Sequence, residues 1–407
     1  MDPTSVVTQS EWQRALTEKH RKAAQLFART DAEQKQRGYF HTLKEICQQP
    51  WTWLRTCERM IKLRDPLLPF ARGIKSLVFT GSGSSEYAGD CVRIPLQNEL
   101  GVCVESVSGG NLLLHGAKAL PRDRPGLLVS LARSGNSPES TGAVKILLES
   151  EPAYRHLIVT CNEAGSLAKT WPDRKDLLIV ALPPETNDES LVMTSSFTNL
   201  TLAARFLGLL DQPEIYRKLC ARQSGICRNL ISLHFDELSR IASTEFRRAV
   251  FLGSGTRYSA SREASLKMLE MTSGRVTTMA ESFLGLRHGP MSFIHEDTLV
   301  VCQLSSDPTV RAYELDLLAE LDRKRLGLCK VIVGDGVPES AGRVGDGIIQ
   351  CPGLSELSDE DGAILFVVVA QLLAFFRCLE ERLRPDSPSE GGVISRVVGS
   401  FPLHTLP

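Results

Sequence analysis

Val78–Gly89 reads VFTGSGSSEYAG, and Val250–Ala260 reads VFLGSGTRYSA. Each begins as an apolar run, passes through a Gly-Ser-Gly turn and continues into a stretch able to form a helix. Aligning Gly81 with Gly253 places Val78 on Val250, Phe79 on Phe251, Ser82 on Ser254 and Gly83 on Gly255 without a gap. A strand, a glycine turn and a helix written twice point to one module present in two copies.

Outward from the first copy, short apolar runs alternate with amphipathic stretches, the pattern of a parallel sheet covered by helices on both faces. The predicted strands are Ser76–Phe79, Val102–Val107, Gly126–Leu131, Leu157–Cys161 and Leu177–Ala181, with helices starting near Ser85, Ser137, Ser166 and Leu191. The second copy repeats this order at Ala249–Leu252, Val276–Met279, Leu299–Leu304, Lys330–Val333 and Gly347–Gln350, and its closing helix Ala363–Leu379 answers Leu191–Leu210. The fold class expected is α/β, with two tandem flavodoxin-like domains, each a five-stranded parallel sheet between helices.

These domains are expected at 71–212 and 248–384. Residues 1–70 read as a helical N-terminal segment, with apolar residues at helical spacing such as Ala23, Leu26 and Phe27. In it, Gly38 is expected to end one helix and Thr42 to cap the next. Residues 213–247 read as a helical linker, a pair of helices without strand signal. The tail, 385–407, carries Pro385, Pro388, Gly391 and Gly392 and is too interrupted for a long helix; Val393, Ile394, Val397 and Val398 suggest that it docks.

A formal charge of -1 over 407 residues argues against nucleic acid or an anionic membrane as the main partner. The 11 cysteines contain no C-x-x-C pair and read as reduced thiols. No basic-then-apolar leader is visible at the N-terminus. The longest apolar run, Ala363–Phe376, is broken by Gln371 and is shorter than the roughly 20 residues of a spanning helix, so it reads as a buried core helix. Together these features place the protein in the cytoplasm.

Four stretches could carry chemistry. The Gly83-Ser84-Ser85 turn sets backbone N–H groups and hydroxyls at a helix N-terminus, where an anion is favoured, although Glu86 stands where a dinucleotide fingerprint has its third glycine. The second stretch is Arg133-Ser134-Gly135-Asn136-Ser137-Pro138. It reads either as an ordinary helix cap, with Ser137 capping and Pro138 at the first position, or as a set of donors converging on a phosphate monoester. Its counterpart Ser305-Ser306-Asp307-Pro308 lacks the glycine and puts Asp307 where phosphate would sit, so one copy binds and the other has lost the function. The third is a helix on which Glu263, Lys267 and Glu270 share a face. They form a solvated ladder or, since Leu266, Met268, Leu269 and Met271 leave that helix largely buried, charges with partners or a role. His288, between Arg287 and Gly289-Pro290, is a structural histidine or a positioned acid or base.

GSGSSEYAG, SLARSGNSPES, EASLKMLEM and AESFLGLRHGP stand in the order of the sugar isomerase (SIS) family, and the chain resembles its double-SIS members, including the isomerase domain of glucosamine-6-phosphate synthase. GYFHTLKEICQQP, LPPETNDESLVMTSSFT and GGVISRVVGSF resemble the galactosamine-6-phosphate deaminase/isomerase group, also called tagatose-6-phosphate ketose/aldose isomerases.

The resemblance implies a phosphate site of Gly83, Ser84, Ser85, Arg133, Ser134 and Ser137, with Gly135 and Asn136 contributing backbone. It implies Glu270 as the base moving a proton between C2 and C1, Lys267 near the sugar oxygens, and His288 opening the ring. In the synthase that histidine comes from the neighbouring subunit, so a homodimer or dimer of dimers is implied. The synthase's Schiff-base lysine aligns with Ser395; Arg396 beside it is a substrate-binding candidate that cannot form an imine. A glutaminase nucleophile is missing, since Asp2 follows Met1. The implied partner is a phosphorylated amino sugar and the implied reaction is its deamination and isomerisation with no cofactor. Plain aldose/ketose isomerisation and a non-catalytic sugar-phosphate sensor are the alternatives.

Overall fold

The computed structural model describes residues 7–172 and 174–404. The first six residues of the expected N-terminal segment and the last three of the tail lie outside the described residues. The chain divides into two compact units. One holds Thr52–Asp188, Ser195–Cys220 and the chain from Gly392; the other holds the chain up to Trp51, Glu189–Thr194 and Ala221–Gly391.

The first unit is built on five strands: β1 (Ser76–Gly81), β2 (Cys103–Ser108), β3 (Gly126–Ala132), β4 (Tyr154–Thr160) and β5 (Leu177–Ala181). They are all parallel in the order β2-β1-β3-β4-β5. β1 and β3 are buried along their whole length, which is why they read as unbroken apolar runs. Val78, Leu112, Leu128, Ala143, Leu147 and Tyr154 make one core on this sheet, and Ala132, Val144, Ile158, Leu167 and Leu177 make another. Trp53 Nε1 donates to Thr198 Oγ1 at 2.8 Å and Thr56 Oγ1 to Asn199 Oδ1 at 2.7 Å, so the buried polar groups of the Ser195–Arg205 helix are paired. That helix starts at Ser195 rather than near Leu191. The reason is Asp188, a buried carboxylate that accepts from Ser195 N at 3.2 Å and Ser196 N at 2.8 Å and so caps the helix from outside it.

The second unit repeats the sheet with β6 (Arg248–Leu252), β7 (Thr277–Glu281), β8 (Thr298–Gln303), β9 (Cys329–Gly334) and β10 (Gly347–Gln350). Its order, β10-β9-β8-β6-β7, is the first order shifted by one copy. The registers agree as well: Ser76 faces Gly126, and Arg248 faces Thr298. The tandem flavodoxin-like reading is therefore correct, with every strand end within three residues of the one expected.

The N-terminal helices belong to this unit. Gln9–Lys19 and Asp31–Arg37 each begin with a capping box, Thr8/Glu11 and Thr30/Glu33. Trp12 Nε1 donates to Ser232 Oγ at 2.8 Å, and Tyr39 meets Phe375 edge-on. Gly38 ends its helix in the left-handed conformation at φ 74°, as expected. Thr42 does not cap the next helix, which begins at Phe40; instead Asp386 accepts from Thr42 N at 2.8 Å and Oγ1 at 2.9 Å. The expected pair of linker helices is one continuous helix, Pro213–Ala242, which runs through Ser224-Gly225 without a left-handed turn there.

Among the described residues only Asp359–Glu380 is long and apolar enough to cross a membrane, and 89% of its apolar window is buried. Gln371 accounts for the break in that run: its Oε1 accepts from Gln49 at 2.8 Å and its Nε2 donates to the Thr194 carbonyl at 3.1 Å. All eleven cysteines are free thiols.

Candidate active site

In a 2-1-3-4-5 sheet the chain leaves β1 for opposite sides, and ligands bind in the crevice this reversal leaves at the carboxyl ends of the strands. In the first unit the loops there are Ser82–Gly83 and Arg133–Ser137. Gly81 must be glycine, because a Cβ would stand 2.7 Å from the Ser85 backbone. Gly83 holds φ 57°, ψ -125°, a conformation closed to other residues, and from it the helix Ser84–Asp90 starts with Ser84 and Ser85 buried. The Ser82 hydroxyl is buried and has no hydrogen-bond partner.

The opposite loop follows β3. Arg133 is buried, and Gly135 turns the chain at φ 66°. The loop is pinned from behind by the segment after β4. Asn162 Nδ2 donates to the Ser134 carbonyl at 2.9 Å, Leu167 N to the Gly135 carbonyl at 2.9 Å, and Ser166 N to Asn136 Oδ1 at 2.8 Å. Asn136 thus spends its side chain on the next helix, and its backbone N donates to Ser134 Oγ at 3.3 Å. Ser137 occupies the cap position of Pro138–Ser150 but makes no capping bond; its hydroxyl pairs with Ser140 Oγ at 2.7 Å. The simple helix-cap reading of this stretch is therefore wrong for the Ser137 side chain.

The tail lies on the same unit. Arg396 donates from Nε to the Asp188 carbonyl at 2.8 Å and from Nη2 to Asn187 Oδ1 at 2.8 Å, while its own carbonyl accepts from Arg133. Its guanidinium is committed to protein acceptors, not projected as a bare cation. Beneath these groups burial pushes the Cys161 thiol up to about 12, so it is no nucleophile.

In the second unit, Gly255 repeats the turn at φ 57°, ψ -131° and starts the helix Thr256–Met271. Glu263 and Lys267 are fully buried. Lys267 Nζ lies 2.5 Å from Glu270 Oε2 and 3.4 Å from Glu263 Oε1, so the shared face is an ion-paired row inside the protein and not a solvated ladder. Glu270 is only partly buried, its side chain 23% exposed. It keeps an edge on solvent while Lys267 fixes its direction. His288 ends the short turn Gly285–His288, before Gly289 at φ 120°, and is exposed. Within this unit it is not brought into contact with Glu270 or Lys267.

No family model matches the sequence. Relatives do, among them D-galactosamine-6-phosphate deaminase AgaS of Shewanella, 33% identical over 89% of this chain and 91% of the relative, and its Escherichia coli namesake, 33% identical over 89% and 95%. The chain belongs to the AgaS group of double-SIS proteins. This chain is also similar to an E. coli crystal structure called tagatose-6-phosphate ketose/aldose isomerase, with a TM-score of 0.80 at 31% identity over 89% of this chain and 96% of that one.

Reading the sequence alone assigned no role to Asp188, Asn162 and Ser166, which hold a helix start and the loop after β3; of these only Asp188 lies inside a stretch quoted above, LPPETNDESLVMTSSFT, and nothing in that stretch marked its role. Asn162 and Ser166 had a faint signal, as polar residues following a strand end and opening a helix. Asp188 had none, since its partners Ser195 and Ser196 are recognisable only once that helix start is known.

Proposed function

We propose that the protein converts D-galactosamine 6-phosphate and water to D-tagatose 6-phosphate and ammonia. The observation that carries this reading is the alignment, over nine-tenths of the chain, with relatives named for that deaminase. The pairing of buried Lys267 with partly exposed Glu270 and the donor-rich loops of the first unit support it.

In this reading the loops Gly83–Ser85 and Arg133–Ser137 hold the 6-phosphate. Their donors are backbone N–H groups, the hydroxyls of Ser84, Ser85, Ser134 and Ser137, and the Arg133 guanidinium, a set suited to a dianion. Arg396 acts by holding the tail beside Arg133. His288 assists ring opening to the aldehyde. Because it is exposed and apart from Glu270 within its own unit, it serves the neighbouring subunit of a homodimer.

Glu270 removes the proton from C2, and the electron pair moves into a C1–C2 double bond while the aldehyde oxygen takes a proton. Returning the proton to C1 leaves a 2-imine. Water adds to that imine and ammonia departs, leaving the ketose. Lys267 keeps the Glu270 carboxylate aimed and stabilises negative charge on the sugar oxygens. The steps balance without an oxidant or reductant, since the substrate's own carbonyl and amine accept and release the electrons. The free thiols fit a cytoplasmic enzyme.

The test is ammonia release from galactosamine 6-phosphate and from glucosamine 6-phosphate. Ammonia from neither, with tagatose 6-phosphate interconverted with its aldose, replaces deamination by plain isomerisation. Glu270→Gln should lower turnover by about 10²–10⁴-fold while sugar-phosphate binding persists; unchanged turnover removes Glu270 as the base.

A further inference from the structure

The crevice of the second sheet is filled by the protein itself. Glu314 Oε1 accepts from Ser254 Oγ at 2.7 Å and from Arg257 Nη2 at 2.8 Å, and its Oε2 accepts from Ser305 N at 2.6 Å. Asp359 Oδ1 accepts from Ser306 N at 2.9 Å, and its Oδ2 accepts from the Ser305 hydroxyl and lies 3.2 Å from Arg257 Nη2. Every group facing these carboxylate oxygens is a donor: two backbone N–H groups, two hydroxyls and a guanidinium. The Asp307 carboxylate takes no part; it caps its own helix by accepting from Thr309 N and Val310 N, both at 2.9 Å, while its backbone N donates to Ser305 Oγ at 3.0 Å. The expectation that Asp307 occupies the phosphate position is corrected accordingly.

The two crevices correspond residue by residue. The alignment of Gly81 with Gly253 puts Ser82 on Ser254 and Ser85 on Arg257. The matching registers of β1–β3 and β6–β8 carry the same alignment to Arg133 on Ser305 and Ser134 on Ser306. Each crevice therefore owns one guanidinium and one serine at these two positions, on exchanged walls. The acids are not exchanged. Glu314 falls on Gly142 by the strand alignment, or on Val144 when Pro308 is set on Pro138, and Asp359, first residue of its helix, falls on Ser195. Ser82, the equivalent of the hydroxyl that holds Glu314, is the one buried without a partner.

We infer that the second crevice is an oxyanion site built like the first and plugged by Glu314 and Asp359 as internal ligands, and that removing either carboxylate opens it to a phosphate. Two buried groups without partners, Arg257 Nε and Thr256 Oγ1, leave it further capacity for a larger anion. The plug also has a use in place: Arg257 lies in the first turn of the helix that carries Lys267 and Glu270, and the carboxylates anchor it.

The experiment counts inorganic phosphate bound per chain by calorimetry, with thermal unfolding followed in phosphate and in chloride. It compares wild type, Glu314→Ala, Asp359→Ala, and Asp307→Ala as a loop-weakened control. The expected result is one more phosphate per chain in Glu314→Ala and in Asp359→Ala than in wild type, a larger stabilisation by phosphate in both, and no gain in Asp307→Ala. Glu314→Ala leaves Arg257 buried without its main partner, so it is prepared in phosphate; Asp359, at 22% side-chain exposure, is the milder site. Equal stoichiometry in wild type and both variants overturns the inference, as does a gain in Asp307→Ala equal to theirs. Because the count is a difference from wild type, the outcome does not depend on whether the first crevice binds a sugar phosphate.

Discussion

His156 makes the first unit acid-sensitive, and the size of the effect follows from its surroundings. The ring is 1% exposed in the middle of β4, and neither nitrogen has a hydrogen-bond partner. Burial lowers its pKa from 6.5 to about 4, Asp176 opposing the shift and Arg174 adding to it. A histidine neutral in the fold and protonated when unfolded contributes stability that is complete above pH 6.5 and is lost as pH falls toward 4, where the unfolded chain binds the extra proton. Between pH 7.5 and pH 5 the loss is about 2 kcal/mol, from about 1.4 kcal/mol per pKa unit. His156→Leu, close in volume, removes the titration and two unpaired polar atoms, so it should flatten this slope and stabilise the unit at neutral pH. The assay is hydrogen exchange of β4 peptides, corrected for intrinsic rates, at pH 5, 6 and 7.5 in wild type and variant. A wild-type opening free energy that does not fall with pH, or an equal fall in His156→Leu, refutes the reasoning. The effect reaches function because β4 leads into Asn162, which pins Ser134.

Other outcomes are expected from the site. Arg133→Ala removes a charged donor and should raise KM for the sugar phosphate by about 10–100-fold, equivalent to roughly 1.5–3 kcal/mol, with kcat changed less; steady-state ammonia release decides it. Lys267→Met removes the buried cation that faces both Glu263 and Glu270 and should destabilise the second unit by about 3–5 kcal/mol, read from urea unfolding. The Glu263→Gln/Lys267→Met double variant should recover much of that loss. Asp188→Ala strips the cap from the Ser195–Arg205 helix at a cost of about 1–2 kcal/mol, and hydrogen exchange should localise the loss to that helix start.

Much of the architecture was legible because parallel, doubly covered sheets write themselves as short apolar runs. β1 and β3 have no solvent face, so their sequences carry no alternation. Strand ends were read less sharply than strand centres: β7 was expected to end at Met279 and runs to Glu281, and β4 was expected to start at Leu157 and starts at Tyr154. The caps misread most often. Thr42 and Ser137 are ordinary capping residues at ordinary positions, yet Asp386, 344 residues away in the chain, serves the first helix, and Ser140 takes the hydroxyl of the second. A capping propensity measures what a side chain can do locally, and a distant carboxylate outbids it without leaving a local trace.

The sequence by itself determined the repeat, the sheet class, the two glycine turns and the row of Glu263, Lys267 and Glu270, since each depends on periodicity or on a backbone angle that only glycine adopts freely. Tertiary structure alone decided what each turn holds. Both crevices are lined by donors, and Ser305-Ser306 looks as ready for an anion as Ser134 does. What separates them is that Glu314 and Asp359 fold back onto one set of donors, whereas Gly142 or Val144 and Ser195 stand at the matching places on the other. That choice rests on side chains brought together from remote parts of the chain, and no local pattern encodes it.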